Sequence, residues 1–275
     1  MSQMSQSTER VARRVRHETK LRLLQVREVS QISPKMVRIV VGGEALDGFV
    51  SAAHDDHVKL FFPHPGEDKP VLPTQTPNGP IYPEGVQRPA ARDYTPRRYD
   101  AHARTLTIDF VMHGDGPAAA WAAQAKPGSY LGVGGPRGSF VVPDDFDWYV
   151  FVGDEAALPA IGRRLEELPE GTPVTVVAEV ADPAEEQHFH THTRVQTHWL
   201  HRDGAEPGNH LLLQRALAEL PLPAGEGYTW IAAEASVAKA LRRFLIDQRG
   251  LAKDRVKAAA YWKRGTAAVH ETYDD

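Results

Sequence analysis

The segment Arg92-Asp93-Tyr94-Thr95-Pro96-Arg97 sets a guanidinium, an aromatic ring and a hydroxyl within four residues. On a β-strand, side chains alternate between faces, so Arg92 and Tyr94 point the same way. A guanidinium grips a pyrophosphate bidentately, and an aromatic ring stacks on a flat heterocycle. The Thr95 hydroxyl beside them can hydrogen-bond a reactive ring nitrogen. Those are the needs of a flavin, whose chemistry the cofactor carries while the protein binds and orients it. An exposed edge strand ending in a turn proline has the same letters, so the segment acquires meaning from its company.

A second segment, His113-Gly114-Asp115-Gly116-Pro117-Ala118, follows an apolar strand and opens an alanine-rich run. Pro117 suits the first position of a helix. Free N–H groups at a helix start attract anions, and the glycines let a pyrophosphate approach the backbone; an ordinary strand-turn-helix connection is the alternative. Gly132 to Gly138 imitates a nucleotide fingerprint, but its third glycine would fall at Arg137 and no helix follows. That segment reads as the end of a β-domain, with Arg137 exposed at a site. Gly153-Asp154-Glu155-Ala156-Ala157-Leu158-Pro159 comes directly after the apolar run Trp148–Val152. Ligands bind beyond the carboxyl ends of parallel strands. The acids Asp154 and Glu155 would repel a pyrophosphate, so this turn is expected to meet the nicotinamide and its ribose; acids favoured by a helix dipole are the alternative. His188, His190 and His192, with His198 and His201 nearby, would share a face and hold a transition metal if they lay on a strand. As a polar surface loop they would hold nothing.

The 275 residues are enough for two domains, with 41% hydrophobic and 25% charged residues. A net charge of -4 gives no reason to expect nucleic acid as a partner, and small molecules are expected instead. The absence of cysteine excludes disulfides, cysteine-ligated iron-sulfur clusters and a thiol nucleophile. Redox chemistry therefore needs an organic cofactor or the substrate itself. No apolar run approaches the roughly 20 residues of a membrane span. Residues 1–20 read as a flexible polar tail without a signal peptide, and the expected location is cytoplasmic.

Two kinds of periodicity divide the rest. Leu21–Val29, Met36–Val41, Val58–Phe62, Asp93–Tyr99, Thr105–His113 and Ser129–Val133 read as strands, predicting a closed six-stranded antiparallel barrel over residues 21–143, with one helix from Pro117 to Ala125. Within the fifth strand, Thr107, Asp109, Val111 and His113 would line a site while Ile108, Phe110 and Met112 face the core. Residues 147–275 alternate apolar runs with helical ones, which predicts a Rossmann-like parallel sheet. Between His64 and Ala91, seven prolines from Pro65 through Pro77 to Pro89 mark a long loop, read as covering part of the cofactor or as a disordered insertion.

These motifs, in this order, resemble the siderophore-interacting proteins, flavin-dependent ferric-siderophore reductases of the ferredoxin-NADP reductase superfamily. The likeness runs from Leu21 to Gly265 and is carried by His57–Pro63, Arg92–Arg97, Asp109–Pro117 with Trp121, Gly153–Ile161, Trp199–Arg202, Ala233–Ser236 and Tyr261–Gly265. It implies an FAD-binding barrel and a domain for NADPH or NADH. On that resemblance Arg92, Tyr94, Thr95, Asp109, Val111, His113, Gly116, Pro117 and Ala118 hold FAD. Gly153, Asp154, Glu155, Ala156, Leu158, Pro159 and Glu234 meet NAD(P)H, while Lys59, Arg137, Lys263 and Arg264 attract an anionic ferric siderophore. No side chain is a catalyst or a metal ligand, and a monomer is expected. Ala233 stands where the family commonly has glycine. Two rival expectations remain: a flavin reductase or electron-transfer protein with another acceptor, and a non-catalytic siderophore- or metal-binding protein. Arg163, Arg164, Arg194, Arg202, Arg242 and Arg243 are all candidates for a 2′-phosphate.

Overall fold

The computed structural model describes residues 10–76, 79–114, 116–265 and 271–273. Residues 1–9, Pro77 and Asp115 lie outside that set. The first half contains β1 (Arg13–Arg16), β2 (Leu21–Ser33), β3 (Met36–Gly42), β4 (Val58–Phe62), β5 (Thr74–Thr76), β6 (Gly79–Ile81), β7 (Ala90–Tyr94), β8 (Arg98–Asp100), β9 (Thr105–Val111), α1 (Pro117–Ala122), β10 (Tyr130–Gly134) and β11 (Gly138–Val141). The second contains β12 (Trp148–Gly153), α2 (Leu158–Glu167), β13 (Pro173–Val180), β14 (Arg194–His201), α3 (Leu211–Glu219), β15 (Gly227–Glu234), α4 (Ala235–Asp247), β16 (Val256–Trp262) and β17 (Glu271–Tyr273).

Seven strands of the first half form an antiparallel sheet in the order β7-β4-β10-β2-β3-β9-β8. Its two edge strands, β7 and β8, are separated only by Thr95, Pro96 and Arg97. A flat sheet would hold its edges about 29 Å apart at ~4.8 Å per strand, whereas the chain from Tyr94 to Arg98 reaches at most about 14 Å. The sheet must therefore curl until its edges meet. It is the expected antiparallel barrel in the form of a curled half-barrel, with seven strands where six were expected and its edges joined by a covalent crossing. The expected strand Asp93–Tyr99 is broken at Thr95–Arg97, since Pro96 has no N–H for a ladder and Arg97 instead donates its N–H to Thr107 O at 2.9 Å. Leu24, Ile39, Val58, Leu60, Ile108, Phe110 and Leu131 fill the interior.

In the second half, β14-β13-β12-β15-β16 are parallel, and β17 adds antiparallel at one edge. Every residue of β12 and β15 is buried, as a sheet covered on both faces requires. One core packs α2 against Phe151, Val176 and Trp230, and the other packs α3 and α4 against Val152, Val177 and Ile231. Strand order reverses between β12 and β15, which opens a crevice at their carboxyl ends.

Sequence reading missed several strands, among them β1, β14 and the hairpin β5–β6. Residues 13–16, expected in the tail, form β1, which pairs with β11 while all four side chains stay exposed. β14 was hidden by its polar letters, and its residues are only partly buried at the sheet edge. The loop 64–91 contains the hairpin β5–β6, and its Leu72 and Pro70 pack over Gly132.

Gly153 ends β12 where a Cβ would collide with the Ala157 side chain and the Ala232 carbonyl, both inside the core. Gly153→Ala is expected to cost about 1–3 kcal/mol through overpacking. Urea denaturation checks this, and an unchanged midpoint would contradict the packing account.

Candidate active site

The crossing at Thr95–Arg97 is the centre around which the expected site residues gather. Tyr94 ends β7 with its ring 4.6 Å from that of Phe110, and Trp121 of α1 lies 5.7 Å from Phe110 on another side. This aromatic contact ties β7, β9 and α1 together, so the Arg92–Thr95 strand and the Gly114–Pro117 turn are held by one cluster. Burial pushes the Tyr94 phenol up, with the Arg92 charge opposing it, so phenol and guanidinium are neighbours. Arg92 donates to Ala91 O at 2.8 Å, and among the described residues no carboxylate pairs with it. A Cβ placed on Gly114 or Gly116 would find no atom within 4 Å, and Gly114 has φ +60°. An unpaired guanidinium, a ring free to stack and an open glycine turn fit a flavin that carries phosphate. His113 is exposed beside that turn, and Ala118 is buried against the core.

Asp109 is placed differently. Its two oxygens accept from Arg38 Nε and Nη2 at 2.7 and 2.8 Å, and it is 4% exposed. Arg97 lies 3.9 Å away. A carboxylate so occupied supports the crossing through Arg38 and Arg97. Val111 likewise packs against the core of the second half.

Both halves hold the crossing. Arg163 of α2 donates to Pro96 O at 2.9 Å and to Ser51 Oγ at 2.7 Å. Arg97 forks onto Glu166 at 3.1 and 2.5 Å. The guanidinium of Arg97 lies against Gly162, where a Cβ would stand 3.0 Å from Nη2.

The carboxyl edge of the parallel sheet carries the expected NAD(P)H residues. Asp154 accepts from Trp262 Nε1 at 2.7 Å and from Ala156 N at 3.0 Å. Burial pushes Asp154 up to about 7; the Trp262 bond opposes this, and the Glu155 and Glu179 charges add to it. Glu155 pairs with Arg202 at 2.5 and 2.9 Å, and Glu179 shares that guanidinium at 3.3 Å. Glu234 caps α4 through Ser236 and Val237, and those bonds outweigh burial to hold its carboxyl below the usual range. Gly153, Leu158 and Pro159 are buried and position this edge from within. Of the six arginine candidates, Arg202 stands at this edge. Arg163 and Arg164 face the seam, Arg194 bonds Gly171 O, Arg242 bonds Val256 O, and Arg243 pairs with Asp247 on the surface.

The basic residues divide. Lys59 and Arg137 line one open cavity of about 300 Å³ with His57, Gln75 and Asp93. Lys59 is paired there with Asp93 at 2.7 Å, while Arg137 is exposed. Arg264 turns onto the Pro207 carbonyl, and Lys263 is exposed at the end of β16. Gln75 shows that the proline-rich loop walls this cavity. Residues 188–192 form no strand, so the alternation needed to align three imidazoles is not realised. No group of three or more metal-ligating side chains gathers among the described residues.

Residues 25–140 match the model of the siderophore-interacting FAD-binding domain, and residues 146–265 match that of the siderophore-interacting protein. The chain belongs to the siderophore-interacting protein family. It is 43% identical over 260 residues to the NADPH-dependent ferric-chelate reductase of Escherichia coli K12, covering 93% of this chain and 98% of that protein. The ferric vibriobactin reductase ViuB of Vibrio cholerae is 36% identical, covering 91% of this chain and 93% of ViuB. A siderophore utilization protein from T. fusca superposes with a TM-score of 0.85 at 44% identity, over 94% of this chain and 98% of that one. A ferredoxin NADP+ reductase from Neisseria gonorrhoeae, at 17% identity and a TM-score of 0.55, covering 84% of this chain and 92% of its own, shares the fold. In this family member Ala233 is buried in the apolar core that packs α3 and α4 on the sheet. Sequence reading also missed Gly162 and named Arg163 only as a phosphate candidate, because their partners lie far away along the chain.

A raised Asp154 has a defined thermodynamic sign. The unfolded chain ionises it near the ordinary value of 3.8 while the fold keeps the proton to about 7, so its contribution is full below pH ~4 and is lost as pH rises towards 7. Asp154→Asn removes the titration and keeps one of the two accepted bonds, because its amide nitrogen can only donate. Its thermal midpoint is expected to fall less than the wild type's between pH 4 and 7.5, and parallel curves would contradict the assignment.

Proposed function

We propose that this chain is an FAD-dependent NAD(P)H:ferric-siderophore oxidoreductase, working as a monomer in the cytoplasm. The observation that carries the reading is the unpaired Arg92 beside Tyr94 and Thr95, set against a second half whose strand ends form a nucleotide crevice. When bound, FAD supplies an acceptor for the hydride of NADPH and a one-electron donor to the siderophore's Fe(III). The chain's residues do the rest. Arg92 neutralises the pyrophosphate, and the open Gly114–Gly116 turn admits it to the backbone. Tyr94, backed by Phe110, offers a rigid ring for stacking, and Thr95 a hydroxyl at the flavin's reactive edge. The strand ends at Gly153 and Glu234 would seat the donor, with Arg202 the candidate for its 2′-phosphate once Glu155 yields.

Iron enters as substrate, held by hard oxygen donors of its chelator, and reduction to the softer Fe(II) loosens that grip. No protein ligand to iron is needed. The cavity with Lys59 and Arg137 receives the anionic chelate; Arg137 supplies the unpaired charge, and Lys59 reaches it by leaving Asp93. A single chain contributes both halves of the site, which supports the monomer. The expected use of NADPH supports the cytoplasm as its location.

Two measurements test this reading. Arg92→Ala is expected to weaken FAD binding roughly ten- to hundredfold, the worth of a charged hydrogen-bonded contact, as read by fluorescence titration; unchanged affinity would remove Arg92 from the site. In an Fe(II)-trapping assay, wild-type turnover of an anionic ferric chelate is expected to fall between low and 0.5 M salt, and the Lys59→Ala/Arg137→Ala double variant to be slower and nearly salt-independent. Equal salt slopes would place chelate capture elsewhere.

A further inference from the structure

Asp55 belongs to the first half of the chain and is buried in the second. Its Oδ2 accepts from Lys257 Nζ at 2.6 Å and from Trp230 Nε1 at 3.4 Å. Lys257 and Trp230 are register partners on β16 and β15, so one carboxylate oxygen grips two adjacent strands of the parallel sheet. The segment 51–56 around it is inserted as a unit. The His54 ring meets Trp230 edge-on at 5.1 Å and Phe151 at 5.9 Å, and burial drives its pKa down to about 3. Asp56 accepts from Ser139 Oγ at 2.6 Å and Ser51 Oγ at 2.8 Å, and Ser51 is in turn held by Arg163. Lys257 also lies 3.7 Å from the centre of the Phe140 ring.

Stability alone gives such a pair little reason to exist. Taking two charges out of water offsets most of their attraction, and apolar replacements of both are often neutral or better. What a bonded pair adds over apolar contact is direction, because a greasy seam can slide and a 2.6 Å hydrogen bond cannot. The strand it fixes is the one that touches both reacting sides. Four residues beyond Lys257, Tyr261 faces Thr95 and lies within the fields of Asp55 and Asp56. One residue further, Trp262 donates to Asp154 at the donor edge.

We propose that Asp55 is a positioning residue for hydride transfer: through Lys257 and Trp230 it sets the register of β15 and β16 against the Thr95 crossing, and so the approach of the nicotinamide to the flavin. This rests on the reductase reading above. A misplacement of about 1 Å far from the chemistry can slow a reaction about a hundredfold.

Two variants test it. Asp55→Glu keeps the charge pair but lengthens it by a methylene, and Asp55→Asn/Lys257→Met removes the charges together. For each, anaerobic stopped-flow bleaching at saturating NADPH is expected to slow roughly tenfold or more, with half-saturation little changed. Reoxidation of dithionite-reduced protein by the ferric complex of 2,3-dihydroxybenzoate should match wild type. In FAD-free protein, amide exchange in residues 256–262 should quicken in the double variant while its thermal midpoint stays near wild type. Wild-type bleaching rates in either variant overturn the proposal, as does unchanged exchange where a variant fails to retain FAD. If NADPH fails to bleach the FAD-loaded wild type, the reductase reading fails first and this inference with it; wild-type bleaching with unaffected variants removes the inference alone.

Discussion

A three-residue link between the two edges of a seven-stranded sheet constrains everything else in this molecule. Because Thr95, Pro96 and Arg97 must span from β7 to β8, the sheet has to curl, and the point where it closes is the point where β7, with Arg92 and Tyr94, ends. Such a crossing has no ladder of its own to hold it. Arg163 binds the Pro96 carbonyl, Arg97 forks onto Glu166, and Asp109 with Arg38 supports Arg97 from below. Three of these groups come from the curled sheet, while Arg163 and Glu166 come from α2 of the other half. Closing the half-barrel and docking the second half on it are therefore the same set of hydrogen bonds.

That arrangement explains why the seam is polar. Buried charges there are paired and bonded, as with Lys257 and Asp55, and they orient the parallel sheet as well as adhere to it. The carboxyl edge follows another logic. Glu155 and Glu179 share one guanidinium, Arg202, while burial and those two carboxylates leave Asp154 holding a proton near neutrality. In the proposed reading a phosphorylated donor would draw Arg202 from Glu155, breaking an ion pair that is largely buried.

Much of this was legible in the sequence where the signal is local. The buried strands β12 and β15 contain the continuous apolar runs Trp148–Val152 and Trp230–Ala233. The chemistry of the family resemblance rests on local segments. Features that failed are relational. β14 sits at a sheet edge and carries polar letters, so it looked like a loop, and β1 is a strand only because β11 offers it a partner. Asp109 reads as a site residue by alternation, and the Arg38 partner that occupies both its oxygens was not foreseen. Gly162 and Asp55 gain their roles from residues tens to hundreds of positions away, which no periodicity records.

The measurement that tests the central claim most directly is an anaerobic absorbance record of the FAD-loaded protein, first with NADPH and then with a ferric siderophore. The account predicts a flavin spectrum that bleaches with NADPH and returns in step with Fe(II) release, two equivalents of iron per flavin. A protein that takes up no flavin, or a reduced flavin that the ferric chelate leaves unchanged, would contradict it.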